Sequence, residues 1–264
     1  MKKIVCSLAL AAALIPFVGR TAVAQKATAV PSLDWIVATR PVPGTLTITP
    51  IHNGVPPQPS YCNPCLFYGG DFDSSNANEN GLANENTLLV ADTTTYIPFR
   101  VPGSTVWKVS GLFTNDLADG FDGIDPQQAT WSISAAVSEG SGGTVLASGT
   151  ASATFTATGR NGFGFNEYTT LVHMTQSVNL SAGQYWLSVV PQCTNTGDSS
   201  CDSAQYFVSN TPGTNRYGIH EPVNQSYFNS TYFGYTYANA CEVTTLGCAE
   251  FSAGVLGKAF ANGN

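Results

Sequence analysis

Between Trp131 and Pro191 apolar residues fall at every second position, as in Trp131, Ile133, Ala135 and Val137, and again in Tyr185, Leu187 and Val189. That spacing puts one apolar stripe on one side of an extended chain, so each run reads as a half-buried strand. Gly140-Ser141-Gly142-Gly143, Gly159-Arg160-Asn161-Gly162 and Ser181-Ala182-Gly183-Gln184 interrupt the runs with turn-forming residues. Strand and turn alternate every 10 to 12 residues or so, the rhythm of an antiparallel sandwich. Further strands are expected at Leu88 to Val90, Tyr96 to Val101, Thr105 to Phe113, Tyr168 to Val178, Ala204 to Ser209 and Phe251 to Leu256. Helical periodicity is almost absent, so no helix longer than two turns is expected.

The run SVNLSAGQYWLSVVP resembles a hairpin found in many secreted bacterial β-sandwich domains of unassigned function. TVLASGTASAT and the later YFNSTYFGYTYANAC add to the likeness, which covers roughly Thr94 to Gly257. The resemblance implies a fold and an extracellular setting, and carries no catalytic residue with it. The expected fold is an all-β, antiparallel, jelly-roll-like β-sandwich with an N-terminal arm and three local disulfides.

The chain begins Met1-Lys2-Lys3, continues with an apolar run from Ile4 to Val18 and reaches Ala22-Val23-Ala24 before Gln25. A basic start, a short apolar core and small residues before the cut describe a secretory signal peptide over residues 1–24. The run is too short for a membrane span, and no later segment is longer. Residues 25–60, with Pro41-Val42-Pro43-Gly44 and Pro56-Pro57-Gln58-Pro59, read as an arm around one short strand, Thr45 to Ile51, because proline cannot donate to a sheet ladder. Residues 61–260 form the single sandwich domain and 261–264 a tail. The protein is expected outside the cytoplasm, secreted or periplasmic.

Loss of the signal removes Lys2, Lys3 and Arg20, leaving seven basic residues against seventeen acidic ones. Such a surface repels phosphate backbones and anionic lipid, which argues against nucleic acid and membrane partners. Six cysteines remain, an even number suited to an oxidising compartment, and sequence-local pairing couples Cys62 with Cys65, Cys193 with Cys201 and Cys241 with Cys248. Cys62-Asn63-Pro64-Cys65 has the spacing of a redox or half-zinc unit, but it lies in Pro-rich loop sequence without the partners either needs.

Two stretches are dense in oxygen-bearing side chains. The first holds Asp71, Asp73, Asn76, Asn78 and Glu79, with Asn80, Asn84, Glu85 and Asn86 following; the second spaces Asp116, Asp119, Asp122 and Asp125 three residues apart in an expected loop. Calcium takes six to eight oxygens, so both are candidate calcium loops; a solvated polar loop is the other reading. An EF-hand starting at Asp71 fails, since Asn76 and Leu82 stand where Gly and Glu are required.

No Gly-x-Ser-x-Gly elbow and no His-Glu-x-x-His occurs. Glu167 and Glu221 are the candidate catalytic carboxylates, either of which could oppose a second acid across a concave sheet as glycoside hydrolysis or acid proteolysis requires. Tyr217, Tyr227, Tyr232, Tyr235 and Tyr237, with few charges nearby, are the candidate ligand-binding residues, since ring faces stack on sugars; aromatic packing into a core is the alternative. The function expected first is a secreted, non-enzymatic binding module for a glycan or surface component, calcium-stabilised. An extracellular hydrolase using paired carboxylates and a self-associating envelope or matrix protein are the alternatives.

Overall fold

The computed structural model describes residues 65–73, 80–119, 128–193, 204–243 and 247–261. The signal peptide, the arm with its strand at Thr45 to Ile51, and Cys62, Asn76, Asn78, Glu79, Asp122, Asp125 and Cys201 lie outside them. Fourteen strands follow one another: β1 (Cys65–Tyr68), β2 (Gly81–Ala83), β3 (Asn86–Thr87), β4 (Thr93–Val101), β5 (Thr105–Asp119), β6 (Gln128–Ala135), β7 (Thr144–Gly162), β8 (Phe165–Leu180), β9 (Gly183–Cys193), β10 (Gln205–Thr211), β11 (Tyr227–Ser230), β12 (Tyr235–Asn239), β13 (Glu250–Phe251) and β14 (Ala253–Ala261). One 3-10 turn, Val223–Gln225, and one helical turn, α1 (Ala240–Val243), complete the described elements. Every strand pairing is antiparallel except the short β3–β9 contact. The order β1-β14-β5-β8-β7-β6-β9-β4-β11-β12, with β10 on the same edge of β5 as β14, makes one curled half-barrel sheet.

β7 and β8 produce the curl. Along Ala153–Gly162 β7 pairs with β8, but along Thr144–Ser152 it pairs with β6 instead, while β8 beyond Val172 pairs with β5 alone. One 19-residue strand thus passes from one flank of the sheet to the other. The turn after it is three positions later than expected: Phe163 (φ 55°) and Gly164 (φ 87°) occupy the two positive-φ positions of a tight hairpin turn. Gly159 (φ 83°) makes a bulge instead, where β7 runs from Ala157 to Asn161 while β8 covers only Tyr168 to Asn166.

Inward residues of both flanks meet in one core that includes Ile97, Phe99, Val109, Leu112, Ile133, Val172, Leu187, Val189, Val208 and Phe228. The alternation read in the central stretch is this inward set. Gly254 has its place by close approach: a Cβ there would stand 2.2 Å from the Phe113 ring.

Two expectations are corrected. Leu88 to Val90 is a bend closed by Thr87, whose Oγ1 accepts from Val90 N at 2.9 Å, and not a strand. The Asp116 region is not a loop: β5 continues through it, held by β8 on one edge and β10 on the other. Cys241 and Cys248 form the expected local disulfide. Cys65 and Cys193 are also disulfide-bonded. Among the described residues no helix is long and apolar enough to cross a membrane.

Candidate functional site

The curled sheet carries its polar chemistry in three places, two buried and one on its outer face.

Asp116 is the first. On β5 it stands opposite Tyr168 of β8 and Val208 of β10, fully buried. Its Oδ2 accepts from the Thr114 and Thr170 hydroxyls, both at 2.8 Å, and Oδ1 from Asn84 Nδ2 at 3.3 Å. Asn84 also donates to Val189 O at 2.7 Å and accepts from Thr95 N at 3.2 Å, tying the carboxyl to β4 and β9. All the donors are neutral. Burial pushes the Asp116 carboxyl up to about 7, with the Glu167 charge adding to the rise and the three hydrogen bonds opposing it. Next to Asn84, Glu85 is also fully buried, and burial holds its carboxyl well above the usual range; its Oε1 has no hydrogen-bond partner among the described residues. A carboxyl sealed from solvent in this way cannot reach a substrate.

Glu167 is the second. It stands opposite Leu117, one position off from Asp116, so the two carboxyls point to opposite faces of the strand pair. Its Oε1 accepts from Ser209 Oγ at 2.7 Å, and Oε2 from Thr158 Oγ1 at 2.7 Å and Arg160 Nε at 2.5 Å. The bulge at Gly159 permits this, presenting Thr158 and Arg160 to the same carboxylate. Arg160 Nη1 then reaches Asp71 Oδ1 at 2.9 Å, and Asp71 takes further bonds from Tyr68 Oη at 2.5 Å and from Asn215 Nδ2. Glu167, Arg160 and Asp71 form an ion-pair chain, in which the guanidinium bridges the two carboxylates.

Glu221, the other candidate acid, pairs with Arg100. It lies on the segment that crosses from β1 to β4, where Tyr217 bridges Tyr68 and Ile219 bridges Arg100. His220 on the same segment pairs with Glu250 through Nδ1 and packs its ring 5.1 Å from Phe67. His173 is exposed on β8.

Among the calcium candidates Asp71 is committed to Arg160, Asp73 is half-buried, Asp116 lies inside the fold and Asp119 ends β5. Among the described residues no three His, Cys, Asp or Glu side chains gather as a metal site.

The aromatic candidates divide. Register aligns Tyr96 of β4, Tyr227 of β11 and Asn239 of β12 side by side, with Thr94 and Asn229 as the next row on the same face. The Tyr237 ring packs 5.3 Å from Tyr96, and Trp186 of β9 lies 6.3 Å from Tyr227. Burial and a hydrogen bond with Tyr237 push the Tyr96 hydroxyl upward. Trp186 Nε1 donates to Gln225 O at 2.7 Å, anchoring the 3-10 turn beside this face. Tyr232, 36% exposed, sits in the β11–β12 turn. Tyr235 points the other way, 5.7 Å from the buried ring of Phe228, and belongs to the core. Tyr217 is exposed but lies on the crossing segment, apart from the rest.

Sequence reading missed Tyr96, Trp186 and Arg160, and took Asn84 for a loop oxygen where it is a buried link between Asp116 and Val189. Tyr96 and Trp186 carried a local signal, since Thr94, Tyr96 and Pro98 alternate with inward Thr95, Ile97 and Phe99. Arg160 and Asn84 carried none, because both are turn-compatible residues whose partners are distant in sequence.

No protein-family model, no curated protein and no solved structure matches the chain.

Proposed function

We propose that this protein is a secreted, non-enzymatic module that binds a glycan through the outer face of β4, β11 and β12. The observation that carries the reading is the gathering of Tyr96, Tyr227 and Tyr237 beside the amides of Asn229 and Asn239 on one antiparallel face. Partly exposed phenol rings offer faces to sugar C–H groups, and neighbouring amides offer both donors and acceptors to hydroxyls. Tyr232, 36% exposed in the turn of the same hairpin, is a further candidate contact. Supporting a binding rather than catalytic reading, Glu167 and Glu221 are each engaged by an arginine. In the same reading the two flanks of the curled sheet are the layers of a jelly-roll-like β-sandwich, and the signal-like N-terminus directs it out of the cytoplasm.

The test is a glycan array probed with the mature chain, followed by calorimetry on whatever binds. Tyr227→Ala and Tyr237→Ala should each weaken binding about tenfold or more, equivalent to about 1.4 kcal/mol, while the melting temperature stays within a few degrees. An array without signal, or variants that bind as the parent does, would overturn it.

A further inference from the structure

The part of β7 that leaves β8 is open on more than one side. Along Thr144–Ser152 one edge pairs with β6, and among the described residues no strand pairs with the other. Side chains along this run are also largely exposed, Val145 at 57% and Leu146 at 46%, the two lying at the register shift against β6.

Free edges in natural sheets are shielded by lysine, proline, inward charges or bulges. Lysine, proline and inward charges are absent here, since the run from Gly140 to Gly159 contains no charged residue and no proline, and the one irregularity is a register shift that leaves Leu146 between Val145 and Ala147 without a partner on β6. This is the more telling because the mature chain has about ten more acidic than basic residues, so two copies repel each other over most of their surface. An uncharged edge is where that repulsion is weakest. An antiparallel strand pair is also symmetric about a two-fold axis, so one edge is complementary to itself without a second, different surface.

We propose that Thr144–Ser152 of β7 is a self-association edge, at which two copies of this chain pair antiparallel and extend the sheet across the dimer. The backbone N–H and C=O groups of this β7 edge that no described strand pairs provide the bonds, and Val145 and Leu146 pack against their counterparts in the second copy. A single strand pair buries less than the roughly 1,200 Å² of a standard stable interface, so the dimer is expected to dissociate at about micromolar concentration or above.

The experiment measures solution mass of the mature, disulfide-intact chain by sedimentation from about 1 to 500 µM, with hydrogen exchange followed by mass spectrometry at both ends of the range. The expected result is a monomer–dimer equilibrium, with protection of Thr144–Ser152 rising with concentration. Val145→Lys and Leu146→Lys, both at exposed positions, should each shift dissociation at least tenfold towards monomer while circular dichroism and melting temperature stay unchanged. A monomer at every concentration, or a dimer that both lysine variants leave intact, would overturn the proposal. Protection of Thr144–Ser152 that is equally strong in dilute monomer would overturn it too, because the edge would then be covered within one chain.

Discussion

Glu167 and Asp116 are diagonal neighbours on one strand pair, both fully buried, and the fold treats them in opposite ways. Glu167 has a cation: Arg160 reaches it through the Gly159 bulge and carries the link on to Asp71. Asp116 receives only hydroxyl and amide donors, and burial raises its affinity for a proton. A buried carboxylate has these two routes, a partner of opposite charge or neutrality, and here they operate back to back across one sheet. The paired site is sensitive to mutation and the unpaired site to pH.

The largest effect should come from breaking the paired site. Arg160→Ala leaves the Glu167 charge buried and uncompensated, and should cost about 3–5 kcal/mol in chemical denaturation. Arg160→Ala with Glu167→Gln should recover much of that loss; a double variant no more stable than the single one would mean that Arg160 acts through packing and not charge.

The unpaired site should show itself next, as a slope. The folded-state value for Asp116 lies above the ordinary 3.8, so the fold favours the neutral acid. Stability from this site is complete below about pH 4, is lost as pH rises towards about 7, and changes no further above it. Asp116→Asn should therefore raise stability at pH 8 relative to the parent by about 2–4 kcal/mol, each tenfold change in proton affinity being worth about 1.4 kcal/mol. Glu85, raised in the same direction, should leave a residual slope in that variant. Parent and variant with identical pH profiles would show that Asp116 does not titrate in this range.

Asn84→Ala is the finer probe. It removes the donor to Val189 O and Asp116 and the acceptor for Thr95 N, all in the interior, and should cost about 1–3 kcal/mol. It should also steepen the pH dependence, since one bond that favours ionised Asp116 disappears. The smallest effect belongs at Arg100, exposed beside Glu221, where Arg100→Ala should change stability far less than Arg160→Ala does. A loss as large as that at Arg160 would show that the Glu221 carboxylate, 5% exposed, depends on its arginine as Glu167 does.

How much of this was legible before folding depends on range. Tyr185, Leu187 and Val189 announced an inward face because alternation is set within one strand. Gly140 to Gly143 and Ser181-Ala182 announced turns because backbone preference is local. Asp116 was read as part of a loop for the same local reason: Asp-rich sequence with glycines beyond it favours turns. It is extended because β8 and β10 occupy both edges of β5, and those pairings join residues about 50 and 90 positions away.

The sequence by itself therefore determined the class of structure: antiparallel strands, their inward residues, the local disulfide of Cys241 with Cys248, and an acidic surface. Tertiary structure alone decided which acid meets an arginine, which acid burial pushes towards its neutral form, which tyrosines share a face and which strand edge no described strand pairs. The physical reason is that period and turn preference act over a few residues, whereas burial, charge pairing and strand register depend on which distant segments come to lie beside one another.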